Sequence, residues 1–452
     1  MGRLFGTDGI RGIVGEDLSC ELVLKIGKAT AYVLKKHCKE KNMNILIGKD
    51  TRISGYMLEA AFVAGLSCFG VNCYLAGVVP TPLISLLVNR YKFQAGVMIS
   101  ASHNPYIFNG IKIFNQFGFK ISDDVENEIE RCVFGLDDDF LNYSSFLFGK
   151  SFFCKKAVSD YVDYLVSTVD GVDCSNLKIA VDCANGSAYA TAKLIFERLN
   201  IDADFLNIEP DGININKDCG STHIEKFASF VKNGEYDLGV AFDGDADRCL
   251  AVDEDGNIVD GDQLIAIFSR CMKDEGILKN NTVVVTVMSN LGFFHFAKEN
   301  EINLEVTQVG DRYVLKNMVE KGYKIGGEQS GHIIFKDYAN TGDGQLTALQ
   351  LIKYIKKTNK KFKNLSQIMK KFPQVLVNVK ANKNQKEKYF NDKEIESYLQ
   401  DKEKKLGEES RIVVRCSGTE PIIRIMIEGP DKDLIEKASK EVASRILKVV
   451  SI

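Results

Sequence analysis

The stretch AGVMISASHNPYIFNGIKIF, residues 95–114, joins a short apolar segment to a polar loop that contains two serines. Its first five residues, 95–99, predict a buried strand, and residues 100–105 predict a loop at the end of that strand. Ligands of open α/β sheets bind where strands end, so this loop is a candidate active site. Ser102 could act there as a nucleophile or phosphate carrier if a base or a metal ion activates its hydroxyl.

Two other interpretations of this loop are a Ser-His-Asp hydrolase and a plain turn. Ser102 and His103 are adjacent and are not expected to face each other, and the chain has no G-x-S-x-G elbow. Serine and asparagine caps can also hold a turn that has no catalytic role. The loop therefore predicts function only in combination with other motifs.

A pattern of strand, loop, helix and strand occurs three times along the chain, which indicates an internal repeat. Strands that alternate with helices of this length are typical of α/β units with covered sheets. The copies cover 44–77, 177–207 and 281–310, and their predicted helices cover 56–69, 187–199 and 291–299. The sequence therefore predicts three related α/β domains.

The end of the chain follows a different pattern. Residues 383–411 are highly charged and favour helix, and residues 411–429 predict two strands around a turn. A final amphipathic helix is expected to carry one apolar stripe at fourfold spacing, formed by Leu434, Ala438, Val442 and Ile446. These features predict a smaller α+β domain. The four domains are expected to cover 1–150, 151–255, 256–368 and 369–452.

Composition and charge exclude several classes of protein. The 58 Lys and Arg against 61 Asp and Glu give a net charge of −3, so no basic surplus favours nucleic acid or anionic lipid. Residues 60–89 carry no charge, but glycine and proline interrupt them, which favours buried helix, turn and strand over a membrane span. The twelve cysteines form no C-x2-C pair, and the N-terminus has no signal-peptide core, so we expect free thiols and a cytoplasmic location.

The segment LGVAFDGDADRCLAVDEDG, residues 238–256, carries the alternating aspartates Asp243, Asp245 and Asp247. This spacing places three carboxylates within reach of one hard cation, and without a cation they would repel each other strongly. An EF-hand does not fit, because Arg248 stands where the loop requires glycine and the flanking residues favour strands. The segment therefore predicts a site for Mg²⁺.

Two further loops carry polar groups that suit a sugar phosphate. In IGGEQSGHIIF, residues 325–335, Glu328, Ser330 and His332 alternate, which predicts three polar groups on one side of an extended loop. The segment RCSGTEP offers a guanidinium, two hydroxyls and backbone N–H groups, as in a phosphate-binding nest, from Arg415, Ser417, Gly418 and Thr419. Taken alone, the first loop is better interpreted as a loop whose polar groups are satisfied within the protein, and a plain hairpin turn is the alternative for the second.

Charged residues also follow glycine-rich segments near the N-terminus, namely Asp8, Arg11, Lys49 and Arg52. Taken together, these loops resemble the α-D-phosphohexomutase superfamily, from FGTDGIRG at residues 5–12 to RCSGTEP. Within it, the segments CGSTH, VDGDQ and GGEQSGHIIF are most similar to the members that act on glucosamine phosphates. Gln329 is part of this resemblance, because relatives that act on mannose and glucose phosphates usually carry methionine there.

The resemblance implies an isomerase with four domains around a central cleft. It would convert glucosamine 6-phosphate into glucosamine 1-phosphate through glucosamine 1,6-bisphosphate, in the amino-sugar pathway that supplies UDP-N-acetylglucosamine for peptidoglycan. Ser102 would have to be phosphorylated for activity, and one Mg²⁺ per chain would be held by Ser102, Asp243, Asp245 and Asp247. The resemblance further implies that Arg11 and Lys112 assist near the transferring phosphoryl group, and that Glu328 and Ser330 hold sugar hydroxyls with His332 beside them as a proton-transfer partner. The second phosphate would be held by Arg415, Ser417, Gly418 and Thr419.

Alternatives stay open at this point. The nearest is the same chemistry on another hexose, as in the phosphomannomutase and phosphoglucomutase members. A phosphatase that uses Ser102 and a sugar-phosphate-binding regulator without catalysis are the others. The sequence is compatible with a homodimer and does not determine the oligomeric state. Because the bisphosphate must turn end for end between its two transfers, we expect a hinge near residue 368.

Overall fold

The computed structural model describes residues 4–6, 8–38, 40, 42–141, 147–417 and 421–451. Four separate β-sheets, each covered by helices, define three α/β domains and a smaller C-terminal α+β domain. The predicted fold class is therefore confirmed.

The first domain is built on a seven-stranded sheet with the order β1-β2-β6-β5-β3-β4-β7. Its strands are β1 (Phe5–Gly6), β2 (Gly9–Ile13), β3 (Met43–Lys49), β4 (Val71–Val78), β5 (Ala95–Ile99), β6 (Phe108–Asn115) and β7 (Ser151–Phe153). Its helices are α1 (Cys20–His37), α2 (Ser54–Ser67), α3 (Thr81–Arg90), α4 (Asp123–Val133) and α5 (Asp138–Leu141). Strand β5 lies inside the sheet between β3 and β6, and all five of its residues are buried. The Ser102 loop therefore lies at the C-terminal end of a central strand.

The second domain has a five-stranded sheet with the order β12-β11-β10-β8-β9. Its strands are β8 (Lys178–Asp182), β9 (Asp202–Leu206), β10 (Leu238–Phe242), β11 (Cys249–Val252) and β12 (Ile258–Val259), and its helices are α6 (Ala157–Ser167), α7 (Ala192–Arg198) and α8 (Glu225–Asn233). The aspartate loop joins the buried strand β10 to its antiparallel neighbour β11.

The helix predicted over 187–199 was wrong in its first part. A 3-10 turn covers Ser187–Ala190, and Thr191 leaves helical geometry with a φ of −123° before α7 begins. The N–H of Ser187 donates to the carbonyl of Gly244 in the aspartate loop at 2.8 Å. A contact with a distant loop therefore competes with the local helical hydrogen bonds.

The third domain has a four-stranded sheet with the order β14-β13-β15-β16. Its strands are β13 (Thr282–Thr286), β14 (Asn303–Thr307), β15 (Ile325–Gly327) and β16 (Ile333–Phe335), and its helices are α9 (Gly261–Asp274), α10 (Leu291–Glu299), α11 (Asp311–Lys321), α12 (Gly344–Thr358) and α13 (Phe362–Ser366). A second 3-10 turn covers Lys279–Asn281. Helix α9 begins with a capping box in which Asp260 and Gln263 satisfy each other's backbone N–H groups.

The C-terminal domain has a three-stranded antiparallel sheet with the order β17-β19-β18. Its strands are β17 (Gln374–Lys380), β18 (Arg411–Cys416) and β19 (Ile422–Glu428), and its helices are α14 (Lys383–Asn391), α15 (Lys393–Leu406) and α16 (Lys432–Ser451). The predicted stripe on α16 was wrong at Leu434, which is 43% exposed, while Ile435 is buried. A helix turns every 3.6 residues, so strict fourfold spacing drifts off the buried face and Ile435 opens the stripe instead.

One apolar core runs through the first three domains, and it includes Leu46, Val240 and Val283. The C-terminal domain has a separate core around Ile423, Ile425 and Val442. Within the described ranges, no helix is both long and apolar enough to cross a bilayer. The first three domains therefore pack as one unit, to which the fourth is attached.

A buried polar cluster joins the third domain to the fourth. The Asn290 side chain bonds both the N–H and the carbonyl of Phe372, at 2.9 and 3.0 Å, and donates to Glu428 at 3.0 Å. Arg411 forms an ion pair with Glu428 at 2.5 Å and donates to the carbonyl of Ser289 at 2.6 Å. Polar junctions of this kind are typical of domains that move relative to each other.

Asp262 lies in this junction and makes the stability of the chain depend on pH. It is fully buried and accepts a hydrogen bond from the N–H of Asn290 at 2.7 Å. Burial, together with the charges of Asp260 and Glu428, raises the pKa of Asp262 to about 8. The unfolded chain loses this proton near its usual pKa of about 3.9, so the contribution of Asp262 to the free energy of unfolding falls as the pH rises between about 4 and 8.

We expect Asp262→Asn to flatten this dependence, because the amide keeps its shape and does not titrate. Thermal unfolding at pH 5 and pH 8 measures the effect. Asp274→Asn, on the exposed end of the same helix, is the matched control and should keep the wild-type slope. An unchanged slope in Asp262→Asn would contradict the assignment.

Candidate active site

Ser102 and the three aspartates meet at the junction of the first two domains. The Oγ of Ser102 donates to Oδ2 of Asp243 at 2.6 Å, and Ser102 is only 1% exposed. Thr81, at the start of α3, holds Asp245 through its side chain at 2.6 Å and its N–H at 2.9 Å. Two loops far apart in sequence therefore form one site.

The aspartate cluster fits a divalent cation. One oxygen from each of Asp243, Asp245 and Asp247 lies within 4.8 Å of the others, and all three residues are buried. Among the described residues, Oδ1 of Asp245 and Oδ1 of Asp247 have no hydrogen-bond partner. Burial and the neighbouring charges of Asp247 and Asp245 raise the pKa of Asp243 to about 8. Buried, mutually repelling oxygens of this kind suit Mg²⁺, which prefers oxygen ligands.

Lys112 lies directly beside the cluster. Its Nζ donates to Asp245 at 2.9 Å and to Asp247 at 3.2 Å, and it pairs with Asp8 at 3.2 Å. Burial disfavours its charge, but the three carboxylates outweigh burial and hold the pKa of Lys112 well above its usual value. Arg11 is bonded to the same Asp8. The structure thus brings Arg11 and Lys112 to the Ser102 site through Asp8.

The loop that carries Glu328 and His332 differs from the expectation. It is the turn of the β15–β16 hairpin and not an extended segment, because Glu328 N–H donates to the His332 carbonyl at 3.1 Å. The positive φ of Gly331, 89°, allows this tight turn. The hairpin turn, and not alternation along a strand, therefore sets the positions of these three residues.

Each of these three side chains has a distinct setting. Glu328 accepts a hydrogen bond from the N–H of Gly310 at 3.0 Å. Nε2 of His332 accepts from the N–H of Gly342 at 3.0 Å, and Nδ1 lies 3.7 Å from Asp247. Burial disfavours the charged ring, but Asp247, Asp311 and Glu328 outweigh burial and raise the pKa of His332. The buried Oγ of Ser330 has no partner among the described residues. Ser330 therefore has bonding capacity that a ligand hydroxyl could use.

Sequence reasoning missed Arg248 as a member of the site. Its backbone N–H donates to Asp243 at 3.2 Å, and its Nε lies 3.9 Å from Asp247. Burial disfavours the charge, but Asp243, Asp247 and Glu328 outweigh burial and raise the pKa of Arg248. Its position directly after the third aspartate could have indicated that Arg248 belongs to the site. In the sequence analysis that position served only to exclude an EF-hand.

Sequence reasoning also missed Lys120 and Asp311, which link the first and third domains at the site. Lys120 pairs with Asp311 at 2.6 Å, and it is also bonded to Asp8. Asp311 in turn lies 3.6 Å from Nε2 of His332. These residues are 191 positions apart and belong to no recognisable local motif, so the sequence alone gave no signal for this link.

His103 follows Ser102 and lies closer to it than expected, with Nδ1 3.5 Å from Oγ. That separation is at the outer limit of a hydrogen bond, whereas Asp243 is 0.9 Å closer. Burial and the charges of Arg248 and Arg11 lower the pKa of His103 to about 3. The ring is therefore neutral, and the stronger partner of Ser102 is the aspartate cluster.

The proposed phosphate-binding loop belongs to the C-terminal domain. Arg415 lies on β18, and Ser417 is buried directly after that strand. The N–H of Ser417 donates to the carbonyl of Ile422 at 3.0 Å, and its carbonyl accepts from Lys386 at 2.6 Å. The other two predicted residues of this loop, Gly418 and Thr419, lie outside the described residues.

Comparison with protein families matches nearly the whole chain. Four models of phosphoglucomutase/phosphomannomutase, covering α/β/α domains I, II and III and the C-terminal domain, match residues 2–139, 159–256, 260–375 and 376–445. The chain belongs to this family, whose members are phosphohexomutases.

Curated relatives narrow the resemblance. The chain is 51% identical over 446 residues to a protein of Caldicellulosiruptor bescii and 50% identical over 446 residues to one of Acetivibrio thermocellus, and both carry the name phosphoglucosamine mutase. Each alignment covers 99% of this chain and 99% of the relative.

Solved structures share the fold at much lower identity. A phosphoglucomutase/phosphomannomutase family protein from Burkholderia thailandensis matches with a TM-score of 0.80 and 21% identity, over 98% of this chain and 97% of that one. An N-acetylphosphoglucosamine mutase from Aspergillus fumigatus, in complex with GlcNAc-6P and magnesium, matches with a TM-score of 0.71 and 16% identity, over 99% and 96% of the chains.

Proposed function

We propose that this chain is a phosphoglucosamine mutase that interconverts glucosamine 6-phosphate and glucosamine 1-phosphate. The observation that carries the proposal is the 2.6 Å hydrogen bond from Ser102 to a buried triad of aspartates, with Lys112 beside them. The full-length relatives named phosphoglucosamine mutase support the choice of an amino sugar.

The chemistry is phosphoryl transfer from phosphorylated Ser102. The bond between Oγ and phosphorus breaks while a bond forms between phosphorus and the free C1 hydroxyl oxygen of glucosamine 6-phosphate. Ser102 recovers the proton that the hydroxyl loses, and the product is glucosamine 1,6-bisphosphate. Return of the C6 phosphate to Ser102 then completes the isomerisation with no net gain or loss of phosphate.

The side chains around Ser102 supply the electrostatics of this transfer. Ser102 and the three aspartates would hold Mg²⁺, which neutralises charge on the phosphoryl oxygens when it is bound. Arg11, Lys112 and Arg248 add positive charge from the protein, next to Asp8 and the aspartate cluster. Phosphoryl transfer depends chiefly on such charge neutralisation and on in-line placement of the reacting atoms.

The sugar and its second phosphate would be held away from Ser102. We propose that Glu328 and Ser330 bind sugar hydroxyls, with His332 beside them. Residues 415–419, which include Ser417, would bind the phosphate that is not reacting. The separate core of the fourth domain and its polar junction support movement about a hinge near residue 368, which would admit both orientations of the bisphosphate. We propose four domains close to the expected 1–150, 151–255, 256–368 and 369–452. The first limit falls after Phe153, because β7 pairs with β4, and the second falls after Val259, because β12 pairs with β11.

Substrate comparison tests the proposal and its alternative. With Mg²⁺ present, we expect kcat/KM for glucosamine 6-phosphate to exceed that for mannose 1-phosphate and glucose 1-phosphate by at least about 10-fold. Equal or greater turnover of the neutral hexoses would favour a phosphomannomutase/phosphoglucomutase. Steady release of inorganic phosphate without the isomer would contradict a mutase of either kind.

A further inference from the structure

Arg52 binds the backbone of the Ser102 loop through hydrogen bonds. It is the largest of the described side chains that are fully buried, and it follows β3 in the segment that faces this loop. Its guanidinium donates to four carbonyls of this segment. Three belong to the loop, those of Ser102 at 2.8 Å, Asn104 at 2.8 Å and Pro105 at 2.5 Å, and the fourth, that of Phe108 at 3.0 Å, begins β6. Arginine is the side chain with enough donors in a rigid fork to satisfy so many buried carbonyls.

Asn216, which belongs to the second domain, donates hydrogen bonds to two of the same carbonyls. Its Nδ2 donates to the carbonyl of Ser102 at 2.9 Å and to that of Asn104 at 3.3 Å. Asn216 is 5% exposed and does not belong to the aspartate loop. The Ser102 loop is therefore held by donors from both domains that form the site.

A third link fixes the N–H of Ser102. Asp50 pairs with Arg52 at 2.9 Å and accepts a hydrogen bond from Ser100 Oγ at 2.6 Å. The same Ser100 Oγ accepts from the N–H of Ser102 at 2.9 Å. Both backbone polar groups of Ser102 are thus tied, directly or through Ser100, to the Asp50–Arg52 pair.

These hydrogen bonds stabilise Ser102 in an unfavourable backbone conformation. Its φ is +52°, a left-handed conformation that non-glycine residues adopt at an energetic cost. This conformation aims Oγ at Asp243, so loss of these hydrogen bonds would let the loop relax and move Oγ. In phosphoryl transfer, a displacement of about 1 Å can lower the rate by about 10²-fold.

We propose that Arg52 and Asn216 are positioning residues that hold Ser102 in line for phosphoryl transfer without touching the sugar. The inference rests on the proposed phosphoserine mechanism and goes beyond it by assigning a role to two residues outside the predicted site. Because both side chains bind the Ser102 segment and not the loop that carries Glu328 and Ser330, their loss should slow the transfer and leave substrate affinity nearly unchanged.

Single-turnover kinetics test the proposal in the full-length chain. The wild type, Arg52→Lys, Asn216→Gly and Asn207→Gly are phosphorylated with glucosamine 1,6-bisphosphate, and occupancy of Ser102 is measured by mass spectrometry. The rate constant for transfer from Ser102 to glucosamine 6-phosphate is then measured by chemical quench. This rate constant does not depend on the fraction of the protein that is active. Asn216 has a positive φ of 58°, which glycine adopts without strain. Asn207 is the matched control, because its φ is 53° and its side chain donates to Asp182 at 2.9 Å, away from the Ser102 loop.

We expect the transfer rate constant to fall about 10²-fold in Arg52→Lys and about 10-fold in Asn216→Gly, with KM within about twofold of wild type. Asn207→Gly should transfer at the wild-type rate, even if it unfolds at a lower temperature. If Arg52→Lys does not fold, Asn216→Gly decides. Wild-type transfer rates in Arg52→Lys and Asn216→Gly would overturn the proposal. A wild type that transfers nothing from Ser102 would overturn the proposed function itself.

Discussion

Replacing Ser102 by alanine is expected to lower mutase turnover by at least about 10³-fold, because the variant has no oxygen to carry the phosphoryl group. The cost in stability should be modest. Alanine loses one hydrogen bond, to Asp243, and such a bond contributes about 1 kcal/mol on average. A coupled assay on glucosamine 6-phosphate with Mg²⁺ measures turnover, and thermal unfolding measures stability.

Ser269→Ala is the control for this variant. Ser269 is also fully buried, but its hydroxyl bonds the carbonyl of Ala266 within α9 at 2.9 Å, far in sequence from the Ser102 loop. It should turn over at a rate close to that of the wild type. Ser102→Ala should still bind glucosamine 6-phosphate, because the residues proposed to hold the sugar are intact. Unchanged turnover in Ser102→Ala would rule out the phosphoserine mechanism.

Removal of the divalent ion should have the second largest effect. Chelation is expected to lower turnover by about 10²- to 10³-fold, since a metal ion contributes several kcal/mol to stabilising transition-state charge. Added Mg²⁺ should restore activity. In Asp243→Asn, one charge of the triad is removed at nearly constant volume, so half-saturation should need a higher Mg²⁺ concentration.

The exposed residue Asp255, beyond β11, provides the control for the metal site. Asp255→Asn changes the net charge equally and should leave the Mg²⁺ requirement unchanged. Turnover that survives thorough chelation, or an Asp243→Asn variant with wild-type Mg²⁺ dependence, would remove the aspartates from the proposed metal site.

Local patterns predicted the elements that carry the site. The five apolar residues Ala95–Ile99 form β5 as expected, because a central strand is buried on both faces and needs no alternation. Helix α10 has the predicted bounds, Leu291–Glu299, since Asn290 caps its first turn through the N–H of Gly292. The alternating aspartates also form the predicted cluster.

Long-range contacts account for what the sequence did not reveal. The hydrogen bond from Ser187 to Gly244 competes with helical geometry in the turn at Ser187. Lys120 and Asp311 form an ion pair although they are 191 positions apart in sequence. Arg52 was visible only as a charge on a glycine-rich segment, although its function in the fold depends on four carbonyls that lie 50 to 56 residues away. No local periodicity encodes such contacts.

The central claim is that Ser102 carries the phosphoryl group that is transferred to an amino-sugar phosphate. Its most direct test is quantitative mass spectrometry of the intact chain with peptide mapping, alongside turnover of glucosamine 6-phosphate in Mg²⁺. We predict a single phosphate on Ser102 and a rate proportional to the occupied fraction. Turnover that is independent of phosphate on Ser102, or a phosphate mapped to another residue in the active chain, would contradict the account.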